Sequence, residues 1–260
     1  MNPLRSPLRA GAILGLCLLA HSPAVAQATR TWVSGVGDDV NPGSRTAPCK
    51  TFAGAISKTR EGGEINCLDA GGFGAFTIVK SITIDGGGTQ ASILNTLTNG
   101  IIVRGEGIVV TIRNLSIQGA GTGLNGIKLQ LGAVLHVEHC VIANQTGSGL
   151  EIAPGSNARV FITDTIIRGN KKEKTGFGIR IAPEEGFSVE AFLDNVRLED
   201  NLSGLLVEDR PSVIRLNNVT VTGNATGVSA VGRGRIISFG NNRIAGNAVD
   251  GKPTETKPLQ

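Results

Sequence analysis

The chain has 260 residues and a formal net charge of +4 at pH 7, and only 3% of its residues are aromatic. The basic residues are scattered, with no run longer than Lys171-Lys172, so neither a nucleic-acid-binding surface nor a basic tail is predicted. Glycine is abundant at 37 residues, which is typical of a chain with many tight corners.

Residues 1–26 have the pattern of a secretory signal peptide. Arg5 and Arg9 form the positive start, residues 10–20 are apolar, and Ala24-Val25-Ala26 is a small-x-small cleavage site. The apolar run is too short to span a bilayer as a helix. We therefore predict cleavage after Ala26 and a secreted or periplasmic mature protein without a membrane span.

An N-terminal segment, residues 27–68, precedes the repeats and is predicted to contain a short helix near residues 51–60. Phe52, Ala55 and Ile56 would lie on one face of that helix. Laid over the first turn of the repeats, the helix would cover a strand edge that otherwise invites pairing with another chain.

Asp38, Asp39 and Asn41 lie in a cluster of turn residues that ends at Gly43. We interpret their side chains as partners of the local backbone. A calcium loop is the other interpretation, but calcium normally needs more oxygen ligands than this segment offers. No metal site is predicted.

Three cysteines remain in the mature chain. Export would place them in an oxidising compartment, and the spacing of Cys49 and Cys67 leaves open whether they form a disulfide. Cys140 occupies an inward position of a strand, so we expect a small buried thiol.

Residues 69–250 are organised by a six-residue phrase that returns every 23 to 31 residues. Between successive copies lie two further strand patterns, one opened by glycine and one alternating just before the next copy. Three short strands per repeat, stacked turn on turn, predict an all-β fold, a parallel β-helix of about seven turns. The copies begin at Asn114, His139, Asp164, Asn195, Asn218 and Asn241.

Each copy contributes one corner residue and one inward residue. Asn tolerates left-handed corners, and we interpret His139 as another corner residue rather than a ligand. The residues predicted to be buried are Leu115, Ile142, Ile167, Leu198, Val221 and Ile244. Residues 251–260 contain two prolines and no strand pattern, so a disordered tail is predicted.

The opening of the mature chain reads TWVSGVGDDVNPG at residues 31–43, PCKTF at 48–52 and GGEI at 62–65. Together with the repeats, this opening resembles secreted bacterial right-handed parallel β-helix proteins of the pectate-lyase-like superfamily. The resemblance implies a right-handed coil. It implies little about chemistry, because this fold carries lyases, hydrolases, epimerases and non-enzymes.

One outward column is unusual in so aromatic-poor a chain. His136, Phe161, Phe192 and Arg215 follow one another on neighbouring turns and form our candidate binding strip. The alternative is that the insertion at residues 169–178, or the tail, covers the two phenylalanines. The full predicted column is Thr111, His136, Phe161, Phe192, Arg215 and Ser238.

A second outward column alternates in charge: Lys128, Glu151 and Arg180. We interpret it as a ladder of cross-strand ion pairs, each contributing a fraction of a kcal/mol. A strip that binds sugars or acids is the functional alternative.

Catalysis by this fold would need acidic calcium ligands around a basic residue, or two carboxylates at a set separation. Asp164, Asp194 and Arg197 are the candidates for such a site. The motifs that the resemblance leads us to look for in lyases and polygalacturonases are not found in the sequence.

We therefore predict an exported, non-catalytic, monomeric β-helix protein without a cofactor. It would present a flat face to polysaccharide or another cell-envelope component. The alternative function is a polysaccharide lyase or glycoside hydrolase that acts on acidic, pectin-like polysaccharide, and only that alternative would call for calcium.

Overall fold

Short strands pair in parallel with their equivalents one turn away, and they wind the chain into a right-handed β-helix of about seven turns. The computed structural model describes residues 27–172, 174–208 and 211–258. The described residues form one helix, α1 (Phe52–Lys58), and strands that we number β1 to β26 in chain order. Both the fold class and the capping helix are as the sequence predicts.

The strands form three parallel sheets that enclose one apolar core. Sheet A contains β1 (Ala28–Val33), β2 (Thr59–Cys67), β5 (Ile82–Asp85), β8 (Val109–Arg113), β11 (Val134–Glu138), β14 (Ala158–Thr163), β17 (Val189–Asp194), β20 (Val213–Asn217), β23 (Arg235–Ser238) and β26 (Glu255–Thr256). Sheet B contains β3 (Gly71–Gly72), β6 (Ala91–Leu94), β9 (Ser116–Gly123), β12 (Val141–Gln145), β15 (Ile166–Arg168), β18 (Arg197–Glu199), β21 (Thr220–Thr222) and β24 (Arg243–Ile244). Sheet C contains β4 (Phe76–Ile78), β7 (Ile101–Val103), β10 (Ile127–Leu129), β13 (Ser148–Ile152), β16 (Phe177–Ile181), β19 (Ser203–Val207), β22 (Thr226–Ala230) and β25 (Val249–Gly251).

Apolar side chains on alternate positions of each strand form the core. Ile142, Ile167, Leu198 and Val221 pair in register through sheet B and are all fully buried. Ile244, in the last turn, is only partly buried. Burial of apolar surface stabilises the coil by about 25 cal/mol per Å².

The sequence placed Leu115 in that column, and the structure corrects this detail. Ile117 is the residue paired with Ile142, whereas Leu115 lies one step from Cys140 in the adjacent inward column. Leu115 is nevertheless buried, because it lies two residues before Ile117 and side chains two apart point to one side of a strand.

Helix α1 is capped by the turn cluster that precedes it. Thr51 accepts a hydrogen bond from the Gly54 amide at 2.9 Å, while the Asp39 carboxylate accepts from the backbone amides of Lys50 and Thr51 at 2.8 and 2.9 Å. The Lys58 ammonium donates to the backbone carbonyls of Asp39 and Asn41. Asp38 bonds local backbone as the turn interpretation predicts, accepting from the Val40 amide at 3.0 Å, whereas the backbone partners of Asp39 lie at the helix entry, 11 and 12 residues later.

The corners between sheets A and B hold single residues in the left-handed conformation. His139 has φ +51°, and its imidazole Nε2 lies 3.3 Å from Asp164 Oδ2 on the next turn. The Asn195 amide donates to Asp164 Oδ1 at 2.5 Å. His139 is therefore a corner residue. The left-handed positions are Asn114, His139, Asp164, Asn195 and Asn218.

The corners between sheets B and C hold a buried ladder of side-chain amides, which the sequence analysis did not identify. Asn170 donates to Asn201 at 2.8 Å, Asn201 to Asn224 at 3.1 Å, and Asn224 to Asn247 at 2.8 Å. Asn170, Asn201 and Asn224 are at most 2% exposed. Each amide also bonds backbone groups, so the corners leave few buried polar atoms unpaired.

Beyond Gly251 the structure differs from the disordered tail predicted for residues 251–260. β26 pairs with β23, and Arg235 is ion-paired with Glu255 at 2.5 Å. The tail thus adds a strand to the edge of sheet A as far as it is described, up to residue 258. The charged and proline-rich composition of residues 251–260 gives no strand pattern from which this pairing could be predicted.

The predicted signal peptide, residues 1–26, lies outside the described residues. Within the described part of the chain, α1 is the one helix, and it is too short to cross a bilayer.

Cys49 and Cys67 are free, buried thiols in the structure. Val33 pairs with Cys67 on one side and with Cys49 on the other, so the two cysteines are separated by about 10 Å, two strand spacings. A disulfide needs Cα atoms within about 7 Å, and the disulfide that the sequence left open is accordingly not formed. Cys140 is also free and only 1% exposed.

Replacing Asn224 with alanine should lower the free energy of unfolding by about 3 kcal/mol, because it removes the side-chain bonds to the Leu198 and Thr222 carbonyls and takes the acceptor from the buried Asn201 backbone amide. Asn241→Ala is the matched control, since Asn241 is an exposed corner amide and its loss should cost about 0.5 kcal/mol. Urea unfolding of both variants measures the difference. Equal losses would contradict a structural role for the buried ladder.

Native protein should resist alkylation at Cys140. Burial raises the pKa of this thiol to about 12, so roughly one molecule in ten thousand carries the thiolate at pH 8. Iodoacetamide labelling followed by peptide mass mapping should find Cys140 unmodified in the native protein and fully modified in guanidinium chloride. Rapid labelling of the native protein would show that Cys140 is not in the core.

Candidate functional site

The structure brings the four predicted binding residues together on the outer face of sheet A. His136, Phe161, Phe192 and Arg215 pair in register through β11, β14, β17 and β20, and all four side chains are half-buried. We call these four residues the aromatic column, and strand spacing places neighbours within it about 4.8 Å apart along the coil.

The last position of the column is Ile237, not the predicted Ser238. The connection from β23 to β24 is one residue longer than that from β20 to β21, and Gly240, with φ +86°, takes the left-handed corner position one residue before Asn241. Counting back from the corner therefore selects a residue one position too late. Ser238 is buried and accepts a hydrogen bond from the Asn242 side chain at 2.8 Å.

The rings of the aromatic column form two separate contacts. His136 stacks on Phe161 with centroids 4.9 Å apart and 12° between the ring planes. The ring centroids of Phe192 and Phe239 are 6.3 Å apart, and the two ring planes are inclined by 51°. Phe239 follows the end of β23 and was not among the predicted site residues. The face thus carries a His–Phe pair whose rings stack on each other and, beside it, a tilted Phe pair.

Polar residues border the aromatic column on both sides. Arg159 and Glu190 are paired neighbours two positions before Phe161 and Phe192, and Thr163 and Asp194 lie two positions after them. Arg159 and Glu190 also line a groove of about 380 Å³ that lies at the N-terminal ends of β11, β14 and β17. A ligand lying along the rings would meet charged and hydroxyl groups at both edges.

The described residues of the two predicted covers, the insertion and the tail, do not lie over this face. The insertion at residues 169–178 connects β15 in sheet B with β16 in sheet C, and its Thr175 hydroxyl donates to the Thr146 carbonyl at 2.7 Å. The tail adds β26 at the edge of sheet A, in the plane of the sheet.

The candidates for a lyase site each have other partners. Asp164 accepts from Asn195, and Asp194 accepts from the Asn217 amide at 2.7 Å. Arg197 donates to Glu199 at 2.7 Å. Across the described residues, no group of three or more acidic, histidine or cysteine side chains is placed to hold a metal ion.

The predicted ladder of Lys128, Glu151 and Arg180 forms only in part: Glu151 and Arg180 are ion-paired, Lys128 does not join them, and Glu208 completes a compact triad. Arg180 is ion-paired with Glu151 on the preceding turn and with Glu208 at 2.7 Å. Glu151 is only 8% exposed and also accepts from the Ser148 hydroxyl at 2.6 Å. Burial alone would lower the pKa of Arg180, but the two carboxylates raise it above its ordinary value, so the guanidinium stays charged.

This triad lines a groove of about 430 Å³, which we call the sheet C groove. The insertion, which the sequence offered as a cover for the two phenylalanines, instead forms one wall of this groove through Lys174, Thr175 and Phe177. Its lining residues are Asn125, Lys128, Gly147, Ser148, Glu151, Lys174, Thr175, Phe177, Arg180 and Glu208.

Comparison with known proteins agrees with this architecture. Residues 99–251 match the family model described as a right-handed beta helix region. A crystal structure of the pectate lyase Pel9A superposes with a TM-score of 0.66 at 16% identity, covering 81% of this chain and 62% of that one. The chain therefore spans less than two thirds of that lyase, and the likeness concerns the fold.

A rhamnogalacturonan lyase is also similar over 81% of this chain and 75% of its own, at 11% identity, but its TM-score of 0.27 carries no argument. No curated protein sequence matches the chain significantly. The family match covers more than half of the 260 residues and agrees with the observed coil, so the chain belongs to the right-handed β-helix family.

Proposed function

We propose that the chain is an exported, monomeric, non-catalytic β-helix protein that binds polysaccharide along the aromatic column of sheet A. The observation that supports this most is the stack of His136 on Phe161, with the Phe192–Phe239 pair beside it, on a face that the described residues of the insertion and the tail do not cross.

Aromatic rings and sugars suit each other because the apolar C–H face of a pyranose covers a ring while its hydroxyls point to the sides. Covering half-buried rings removes apolar surface from water at about 25 cal/mol per Å². The successive turns of the β-helix repeat this contact along the coil, which suits a ligand that is itself a repeating chain.

The borders of the column favour acidic or richly hydroxylated sugars. Arg215 belongs to the column and Arg159 lies beside it. A guanidinium can hold a carboxylate through two charge-assisted hydrogen bonds. Glu190 and Asp194, both on the turn between those two arginines, are acceptors for sugar hydroxyls.

Binding without catalysis is favoured because the catalytic candidates are engaged elsewhere. Asp164 and Asp194 accept from asparagine amides, and Arg197 is paired with Glu199. The likeness to a pectate lyase is a likeness of fold, which carries no activity with it.

Changing Phe161 and Phe192 together to leucine should weaken retention by immobilised polygalacturonate about tenfold or more, because leucine keeps apolar bulk but removes the flat ring faces. The free energy of unfolding should fall by only about 1 to 2 kcal/mol, since both rings are half-buried. Affinity electrophoresis and urea unfolding measure the two effects.

Val36 and Val40 provide the matched control, because they are 92% and 85% exposed and lie outside the aromatic column. Changing both to alanine should leave retention unchanged. If the leucine variant folds and is retained as strongly as the parent, the aromatic column is not the binding surface.

A further inference from the structure

The sheet C groove lies on a different face from the aromatic column and has a chemistry of its own. Its described lining residues carry three cations, Lys128, Lys174 and Arg180, against two carboxylates, Glu151 and Glu208. Arg180 is paired with both carboxylates. One positive charge therefore remains uncompensated in a concave site of about 430 Å³, a size within the range of small-molecule sites.

That charge resides on the two lysines. Lys128 is the cross-strand neighbour of Glu151, yet the Glu151 carboxylate is already held by Ser148 and Arg180. Among the described residues, neither Lys128 nor Lys174 has an ion pair or a side-chain hydrogen bond. Two unpaired ammonium groups beside one groove are suited to hold an anionic group by charge-assisted hydrogen bonds.

The insertion shapes the rest of the groove. Its exposed Thr175 hydroxyl donates to the Thr146 carbonyl at 2.7 Å and keeps lone pairs for a ligand hydroxyl, whereas the buried Ser148 hydroxyl donates to Glu151 at 2.6 Å and fixes that carboxylate. Phe177 adds an aromatic ring, and the Arg180 guanidinium lies 5.9 Å from its centroid. A guanidinium that lies over an aromatic ring fixes the orientation of the ring and leaves the rest of the ring surface open to the groove.

Anion-binding ammonium groups, an exposed hydroxyl acceptor and an aromatic surface together match a sugar that carries a carboxylate. We infer that the sheet C groove binds a single sugar acid, with its carboxylate on Lys128 and Lys174, a hydroxyl at Thr175, and its ring against Phe177. The carboxylate would bring the charge of the groove to neutrality.

Calorimetric titration with D-glucuronate tests this inference, with D-glucose as the neutral sugar and inorganic phosphate as the sugar-free anion. Glucuronate should bind and glucose should not. Lys128→Gln should weaken glucuronate binding about tenfold, the equivalent of one charge-assisted contact. Binding should also weaken as salt concentration rises.

Lys172→Gln is the matched control. Lys172 belongs to the same insertion but lines a different depression, together with Leu97 and Leu124, so this variant removes the same charge without touching the groove. It should bind glucuronate like the parent.

If Lys128→Gln and Lys172→Gln weaken glucuronate binding equally, the effect comes from net charge alone and the assignment is wrong. Glucose binding as tightly as glucuronate would also overturn it. So would phosphate binding as tightly with the same dependence on Lys128, because the sugar would then contribute nothing. The leucine variant of the aromatic column should bind glucuronate unchanged, which separates this site from the proposed polysaccharide surface.

Discussion

Hydrogen bonds between side-chain amides at the buried corner of sheets B and C hold one turn in register with the next. The backbone amide of each residue also donates to the side-chain oxygen of the next: Gln145 to Asn170, Asn170 to Asn201, and onward through Asn224 to Asn247. A sheet that can slip by one residue exchanges its inner and outer faces. Buried amides resist such a slip, because each would lose several partners at once and remain unpaired in the core.

This register makes distant residues neighbours on the surface. Phe161 and Phe192 are separated by the longest turn, yet they are directly paired. The same turn contains the insertion, and the ladder spans it without interruption from Asn170 to Asn201. The coil therefore accepts extra residues at a corner and resumes its pattern one turn later, so a local loop can form the wall of the sheet C groove without disturbing the aromatic column.

The periodic features could be predicted from the sequence because a solenoid repeats its local rules. The parallel coil, the helix that caps it, the left-handed corner at His139 and the outward series from His136 to Arg215 all follow from counting along the repeat. Counting became unreliable where the repeat is irregular. In the last turn an extra residue shifts the column from Ser238 to Ile237, and the composition of the tail concealed the pairing of β26.

Other features depend on three-dimensional placement. The amide ladder left a trace in the sequence, since Gln145, Asn170, Asn201, Asn224 and Asn247 recur in step with the repeat, but asparagine at a corner looks the same whether it points inward or outward. Nothing in the spacing of Cys49 and Cys67 shows that Val33 lies between them. The contribution of Phe177 to a groove with Lys128 depends on how the insertion folds back.

The division between binding and catalysis is tested most directly by incubating purified protein with polygalacturonate and calcium while following the ultraviolet absorbance of unsaturated products. Our account predicts that the polymer is bound and its absorbance stays constant over hours. A steady rise in absorbance that disappears in an Asp194→Asn variant would contradict it and establish a lyase.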